Sequence, residues 1–132
     1  MRIPRAIVDE MVAHAREEAP NECCGIVGAR DGQAARLFRA RNRLASPLRY
    51  DIHPGDMMRI LEELDSQAMS PGIIYHSHTR SEPVPSQTDI SLANPLFPDV
   101  LYVIVGVAGD EPDVRAWHIA GGRYSEAAYT VV

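Results

Sequence analysis

Cysteine is scarce in this chain: two residues in 132, and they are neighbours, Cys23 and Cys24. Adjacent cysteines rarely reach the geometry of a relaxed disulfide, and no third thiol offers a partner. A disulfide-stapled secreted fold is therefore excluded, and a reduced, cytoplasmic protein is the expectation. Long apolar runs are lacking too. No window approaches the ~18 consecutive apolar residues of a membrane-spanning helix. The opening MRIPRAIVDEMV has no apolar core of the kind a signal peptide carries. Positive charge is also short: the formal net charge is -5 and the pI about 5.5. That is the wrong sign for a protein that tracks phosphates, so neither nucleic acid nor membrane is an expected partner. One stretch departs from this balance. Arg36, Arg39, Arg41, Arg43 and Arg49 lie in a segment free of acidic residues. It reads as a solvated strand edge, with docking of an acidic protein partner as the alternative.

What is present suffices for one domain spanning 1–132. Hydrophobic residues make up 45% of the chain, enough for a core without staples at this length. Residues 4–19 read as a helix: Pro4 suits a first turn, Ile7, Val8, Met11, Val12 and Ala15 form an apolar stripe, and Pro20 follows. Cys23–Ala29 and Gln33–Arg41 flank Asp31-Gly32 as a hairpin. Tyr50–Ile52 reads as a short strand, and Pro54 opens a second helix that runs to Ala68. Ile73–His78 is a strand, Ser86 caps a short helix through Leu92, and Val100–Val107 is the clearest strand of all. Val114–Ala120 and Tyr124–Val132 complete the pattern around a Gly121-Gly122 turn. Helices and strands alternate but hairpins also occur. The expected fold is thus mixed α/β (α+β-like), three layers, with a mixed β-sheet flanked by helices.

The chemistry centres on His76. In a strand, residues i and i+2 share a face with Cα atoms ~6.6 Å apart. His76 and His78 can therefore converge on one metal ion. Such a pair alone is a weak signal, since polar edge strands produce it by chance. Asp89 falls in the first turn of the next predicted helix, three residues after Ser86. By itself Ser86-x-x-Asp89 is a capping box variant, but a carboxylate has two oxygens and can cap with one while binding metal with the other. Glu22 sits at the mouth of the first apolar strand, where it can take a proton from water at the metal and return it to a leaving amine. Two histidines and a carboxylate also describe the Fe(II) facial triad. That triad reads His-x-Asp with a distant His on a β-barrel, whereas the order here is reversed and helices are prominent.

Taken together, Glu22 in PNECCGIVG, His76-Ser77-His78, and Pro85-Ser86-Gln87-Thr88-Asp89 resemble the JAMM (MPN+) metalloproteases. Ser46-Pro47 and Tyr50 add support, and the likeness runs from the first helix to at least Val107. The resemblance implies that His76, His78 and Asp89 ligate one Zn2+, that Glu22 is the general base and acid, and that Ser86 steadies the oxyanion. Ser77, on the opposite strand face, is left a supporting hydrogen bond. Many members carry proline after the second histidine; this chain has Thr79. That variant is similar to the bacterial Mec-type peptidases, which release cysteine from the Gly-Gly tail of a ubiquitin-like sulfur-carrier protein. The resemblance thus implies such a carrier as partner. Trimming of a precursor carrier, general isopeptidase activity, and a non-catalytic MPN interaction module are the alternatives. The chain is near the minimal length of the fold, without room for the insertions by which eukaryotic relatives grip ubiquitin chains. Arg80, Thr79 and Tyr50 are candidate substrate contacts, Arg80 because a released cysteine presents an α-carboxylate. Cys24 shares strand parity with Glu22 and Cys23 faces away, both as small buried hydrophobes. His14 and His53 are expected at the surface, and His118 has no assigned role.

Overall fold

Strand period and helix period separate cleanly along the chain. In the computed structural model, which describes residues 1–132, the order is β1 (Arg2–Ile3), α1 (Arg5–Glu18), β2 (Cys24–Arg30), β3 (Gln33–Ala40) and α2 (Pro54–Ser66). There follow β4 (Ser70–His78), α3 (Gln87–Leu92), β5 (Leu101–Gly106), β6 (Asp113–Ala120), β7 (Arg123–Ala127) and β8 (Thr130–Val131). The strands form one mixed sheet in the order β7-β6-β5-β4-β2-β3-β1-β8. β4 lies inside it, antiparallel to β2 and parallel to β5, and Cys24 is paired with His76.

The sheet has to curl. β7 and β8 stand at opposite ends of the strand order, yet only Ala128 and Tyr129 separate them in sequence. Eight flat strands at ~4.8 Å spacing would hold those ends ~34 Å apart. Three Cα steps reach at most ~11 Å. The curled sheet wraps α1, whose Ile7, Val8, Met11 and Ala15 pack with Val27, Ile73, Tyr75 and Val103. Tyr129 pins the closure by donating its hydroxyl to the Val114 carbonyl at 2.6 Å. The outer face carries α2, with Ile60 and Leu64 against Ile26, Ile74, Tyr102 and Ile104. Three layers result, as the sequence pattern predicts. Neither α1, α2 nor α3 is long and apolar enough to cross a membrane.

Several local expectations are corrected. The predicted terminal strand Tyr124–Val132 breaks into β7 and β8, and β8 pairs with β1 on the far side of the sheet. Two-residue strands are too short to display a period. Tyr50–Ile52 is not a strand but a single bridge between Ile52 and Asn42. β4 starts three residues before the predicted Ile73, and its Pro71 is tolerated opposite Gly28, where the ladder is irregular. His14 is buried rather than exposed, its Nδ1 2.7 Å from the Tyr75 hydroxyl. Position 14 follows Met11 by three, so helical geometry turns it inward with the apolar stripe.

Gly25 marks the tightest point of the sheet. A Cβ there would lie 2.5 Å from the Phe38 carbonyl oxygen and collide with the Tyr75 ring. Because one obstacle is backbone, strand pairing itself must yield. Gly25→Ala is expected to cost about 1–3 kcal/mol, seen as a thermal midpoint lower by roughly 4–12 °C. An unchanged midpoint would show that the strands can separate at no cost.

Candidate active site

β4 delivers both histidines to the α2 side of the sheet, where His76 and His78 are almost fully buried. α3 delivers the carboxylate. Its N-cap is Ser86, whose Oγ accepts the Asp89 N–H at 3.1 Å, while Asp89 Oδ2 accepts the Ser86 N–H at 2.9 Å. The reciprocal box turns the Asp89 side chain back towards β4. Its Oδ1 lies 3.2 Å from His76 Nε2 and its Oδ2 3.0 Å from His78 Nε2. The two Nε2 atoms are 3.2 Å apart.

The surrounding groups set the protonation of this cluster. His78 Nδ1 is 2.7 Å from the Glu82 carbonyl, which can only accept, so Nδ1 carries the proton of the neutral ring and Nε2 is the atom that donates to Asp89 when protonated and offers a lone pair when not. Tyr50 is buried and stacks on His76, centroids 4.2 Å apart and planes 18° apart, which fixes the ring's tilt. Burial alone would raise the Asp89 carboxyl, but bonds from both histidines and the Ser86 amide overrule it and hold the group well below the usual carboxylate range. Burial opposes charge on His78, yet Asp89 and the Glu82 carbonyl raise its pKa. For His76, burial wins and the pKa is lowered. Glu22 is buried with Oε1 unpartnered, and burial pushes its carboxyl up to about 8, His78 pulling down and Asp89 pushing up.

These observations test the site for a metal. Neutral imidazole nitrogens and an ionised carboxylate offer only electron pairs, and here their ligand atoms all lie within 4.8 Å of one another. Such a set is self-repelling unless a cation or a shared proton stands between its members. Two nitrogens and a carboxylate oxygen form the donor set of a catalytic zinc site with one position left open. The residues fit.

Each remaining sequence candidate has a definite place. Thr79 Oγ1 donates to the Pro20 carbonyl at 2.9 Å, tying the end of β4 to the segment that carries Glu22. Ser77 Oγ accepts the Cys23 N–H at 2.8 Å on the opposite strand face. Arg80 is exposed and free of ion pairs, lining a groove of about 430 Å³ with Ser81, Glu82, Gly106 and Glu111. Cys24 packs on the ligand side and Cys23 on the α1 side, both buried and unpaired. Burial pushes the Cys23 thiol up to about 12. His53 is half-buried and accepts the Gly55 N–H as the cap of α2; His118 is exposed. The basic stretch is largely answered from within. Arg39 pairs with Glu10 and Glu17, Arg41 with Asp56, Arg43 with Asp51, and Arg36 lies over the Phe38 ring. Sequence reasoning missed the Glu82 carbonyl and the Trp117 indole, which donates to the Pro83 carbonyl at 3.0 Å and braces the loop before Ser86. A backbone carbonyl has no residue identity to read.

A three-layer domain that presents two strand histidines and a helix-cap aspartate around one point defines a JAMM-type metallopeptidase. Comparison with known proteins agrees. Residues 4–120 match the family described as prokaryotic homologs of the JAB domain. The chain is 33% identical over 129 residues to the CysO-cysteine peptidase of Mycobacterium tuberculosis, covering 96% of this chain and 87% of that one. It is 36% identical over 109 residues to the desampylase of Haloferax volcanii, covering 76% of each. Its fold matches that of AF2198, a JAB1/MPN domain protein from Archaeoglobus fulgidus, with a TM-score of 0.66 at 20% identity, over 100% of this chain and 97% of that one. The chain belongs to the prokaryotic JAB-domain family. It is a zinc-dependent metallopeptidase with one catalytic Zn2+.

Zinc uptake is expected to release protons. Asp89 must be ionised and both imidazoles neutral for binding, and Asp89 and the Glu82 carbonyl raise the His78 pKa, so a proton there competes with the metal. Calorimetry in buffers of differing ionisation enthalpy should register that release, and affinity should fall as pH is lowered through the raised His78 pKa. Binding with no net proton release would contradict this assignment. Asp89→Asn should weaken zinc binding by at least about tenfold, measured by competition with a chromogenic chelator.

Proposed function

We propose that the enzyme hydrolyses the amide joining the C-terminal Gly-Gly of a ubiquitin-like sulfur-carrier protein to a terminal cysteine, releasing cysteine for biosynthesis in the cytoplasm. The observation that carries this reading is the complete set Glu22, His76, His78, Ser86 and Asp89 with Thr79 after the second histidine. A relative named CysO-cysteine peptidase over 96% of the chain supports it.

His76, His78 and Asp89 would hold the zinc. When bound there, zinc supplies Lewis-acid polarisation and lowers the pKa of water towards ~7. Glu22 takes a proton from the attacking water, whose oxygen bonds to the glycine carbonyl carbon. A buried carboxyl with a pKa near the working pH can both accept and return that proton. Ser86 Oγ accepts the Asp89 N–H, which leaves its own O–H free to donate to the developing oxyanion. When the C–N bond breaks, Glu22 passes the proton to the departing amine. Arg80, unpaired on its groove, meets the α-carboxylate of the leaving cysteine. The carrier's tail lies extended, its unbranched Gly-Gly end read through backbone hydrogen bonds.

A second reading keeps the chemistry and changes the leaving group: cleavage of lysine-linked conjugates or trimming of a precursor carrier. The likeness to a desampylase favours keeping it in view. Mass spectrometry on cysteine-terminated, precursor and lysine-linked carriers separates the possibilities. The proposal requires loss of one cysteine residue from the first as the fastest reaction. Cleavage of only the other two would transfer the assignment to the second reading.

Glu22→Gln is expected to lower kcat by about 10²–10⁴-fold with zinc content unchanged; a fully active variant would remove Glu22 from the chemistry. Arg80→Ala should raise KM for the cysteine-terminated carrier by about tenfold and leave the lysine-linked one unaffected. Equal KM values on both would discard the carboxylate contact.

A further inference from the structure

The geometry points to Asn42 as the residue that positions Glu22, an inference that rests on the reading of Glu22 as the proton carrier. Asn42 is half-buried, two residues beyond the end of β3. Its Nδ2 donates to the Glu22 carbonyl at 3.0 Å and to the Arg49 carbonyl at 3.1 Å. Its Oδ1 accepts the Leu44 N–H at 3.1 Å and the Asp51 N–H at 3.1 Å. A side-chain amide has two N–H donors and one oxygen with two lone pairs, so its capacity is fully used. The orientation is also forced: one end meets only carbonyls and the other only N–H groups.

The consequence for Glu22 is specific. Glu22 precedes β2 and so has no place in the sheet ladder. Its N–H donates to the Ser46 carbonyl at 2.8 Å, and its carbonyl is taken by Asn42. Both backbone polar groups of Glu22 are therefore held by one loop, residues 42–51, which the Asn42 amide closes together with the Arg43 N–H donating to the Asp51 carbonyl at 2.9 Å. Tyr50, near the loop's other end, lies on His76. On its other side the same amide bonds only the backbone that flanks Tyr50, the Arg49 carbonyl and the Asp51 N–H. Glu22 Oε1 has no hydrogen-bond partner of its own, so the aim of the carboxyl is inherited from this backbone anchor and from packing. No other side chain can substitute. Aspartate keeps both acceptor bonds but turns the two donated bonds into oxygen–oxygen repulsions, and alanine loses all four.

The test is a double-mutant cycle in the zinc-loaded enzyme, run on whichever carrier substrate the wild type cleaves. Asn42→Asp is expected to lower kcat by about 10–100-fold, the cost of a misaimed catalytic group. KM should stay within about threefold and the zinc content, read by atomic emission, should stay at that of the wild type. In a Glu22→Gln background the same change should cost no more than about twofold, because the residue it positions is already disabled. Three results would each overturn the inference: an Asn42→Asp kcat within about twofold of wild type, an undiminished loss in the Glu22→Gln background, or a rate loss that only tracks lost zinc. Should Asn42→Asp fail to fold, by circular dichroism, Asn42→Ala leaves the half-exposed loop open to water and runs the same cycle. A fully active Glu22→Gln enzyme is a separate outcome: it removes the proton-carrier reading and this inference with it.

Discussion

Two imidazole nitrogens and a carboxylate, each within 3.2 Å of the next, make an arrangement that no apolar core would tolerate on its own. Every other feature of the site restrains that repulsion. β4 sets the spacing of the histidines, and the Glu82 carbonyl fixes which nitrogen of His78 faces inward. The α3 cap turns Asp89 towards them, and the Tyr50 ring prevents His76 from tilting away. A divalent cation converts the same set from a destabilising cluster into a closed electrostatic unit, which is why the donors are built so close together.

The curled sheet makes the arrangement rigid. β4 has a partner strand on each side, α1 against one face and α2 towards the other. The histidines therefore project from a strand held on both edges and both faces. Glu22 lies two residues before β2, the strand that pairs Cys24 with His76, and its backbone is held by the 42–51 loop. Thr79, Ser77 and the Ser46 carbonyl secure the residues just around Glu22. Sheet register places the histidines, while the 42–51 loop and the α3 cap place Glu22 and Asp89.

Much of this is written in local spacing, and that part is legible in sequence. Two histidines at i and i+2 declare a shared strand face, and Ser86-x-x-Asp89 declares a helix start. Apolar periods locate α1, α2 and β5. What sequence does not display is any partnership whose second member is a backbone atom or lies far along the chain. The Glu82 and Pro83 carbonyls are invisible for the first reason. The acidic partners of the Arg36–Arg49 stretch are invisible for the second: Glu10, Glu17 and Asp56 lie outside it and meet it only through folding. His14 misleads because a polar residue on an apolar stripe looks like an exception until a buried hydroxyl is found opposite it.

The double duty of Asp89, at the α3 cap and among the ligand atoms, has a wider meaning. α3 has six residues, well below the length at which a helix holds itself together in water. It persists through its cap and its packing, and the cap shares the Asp89 carboxylate with the metal site. By linkage, zinc held by Asp89 would also stabilise the segment between His78 and Leu92. Scarcity of zinc in the surroundings would then govern the working lifetime of the folded molecule as well as its turnover of substrate.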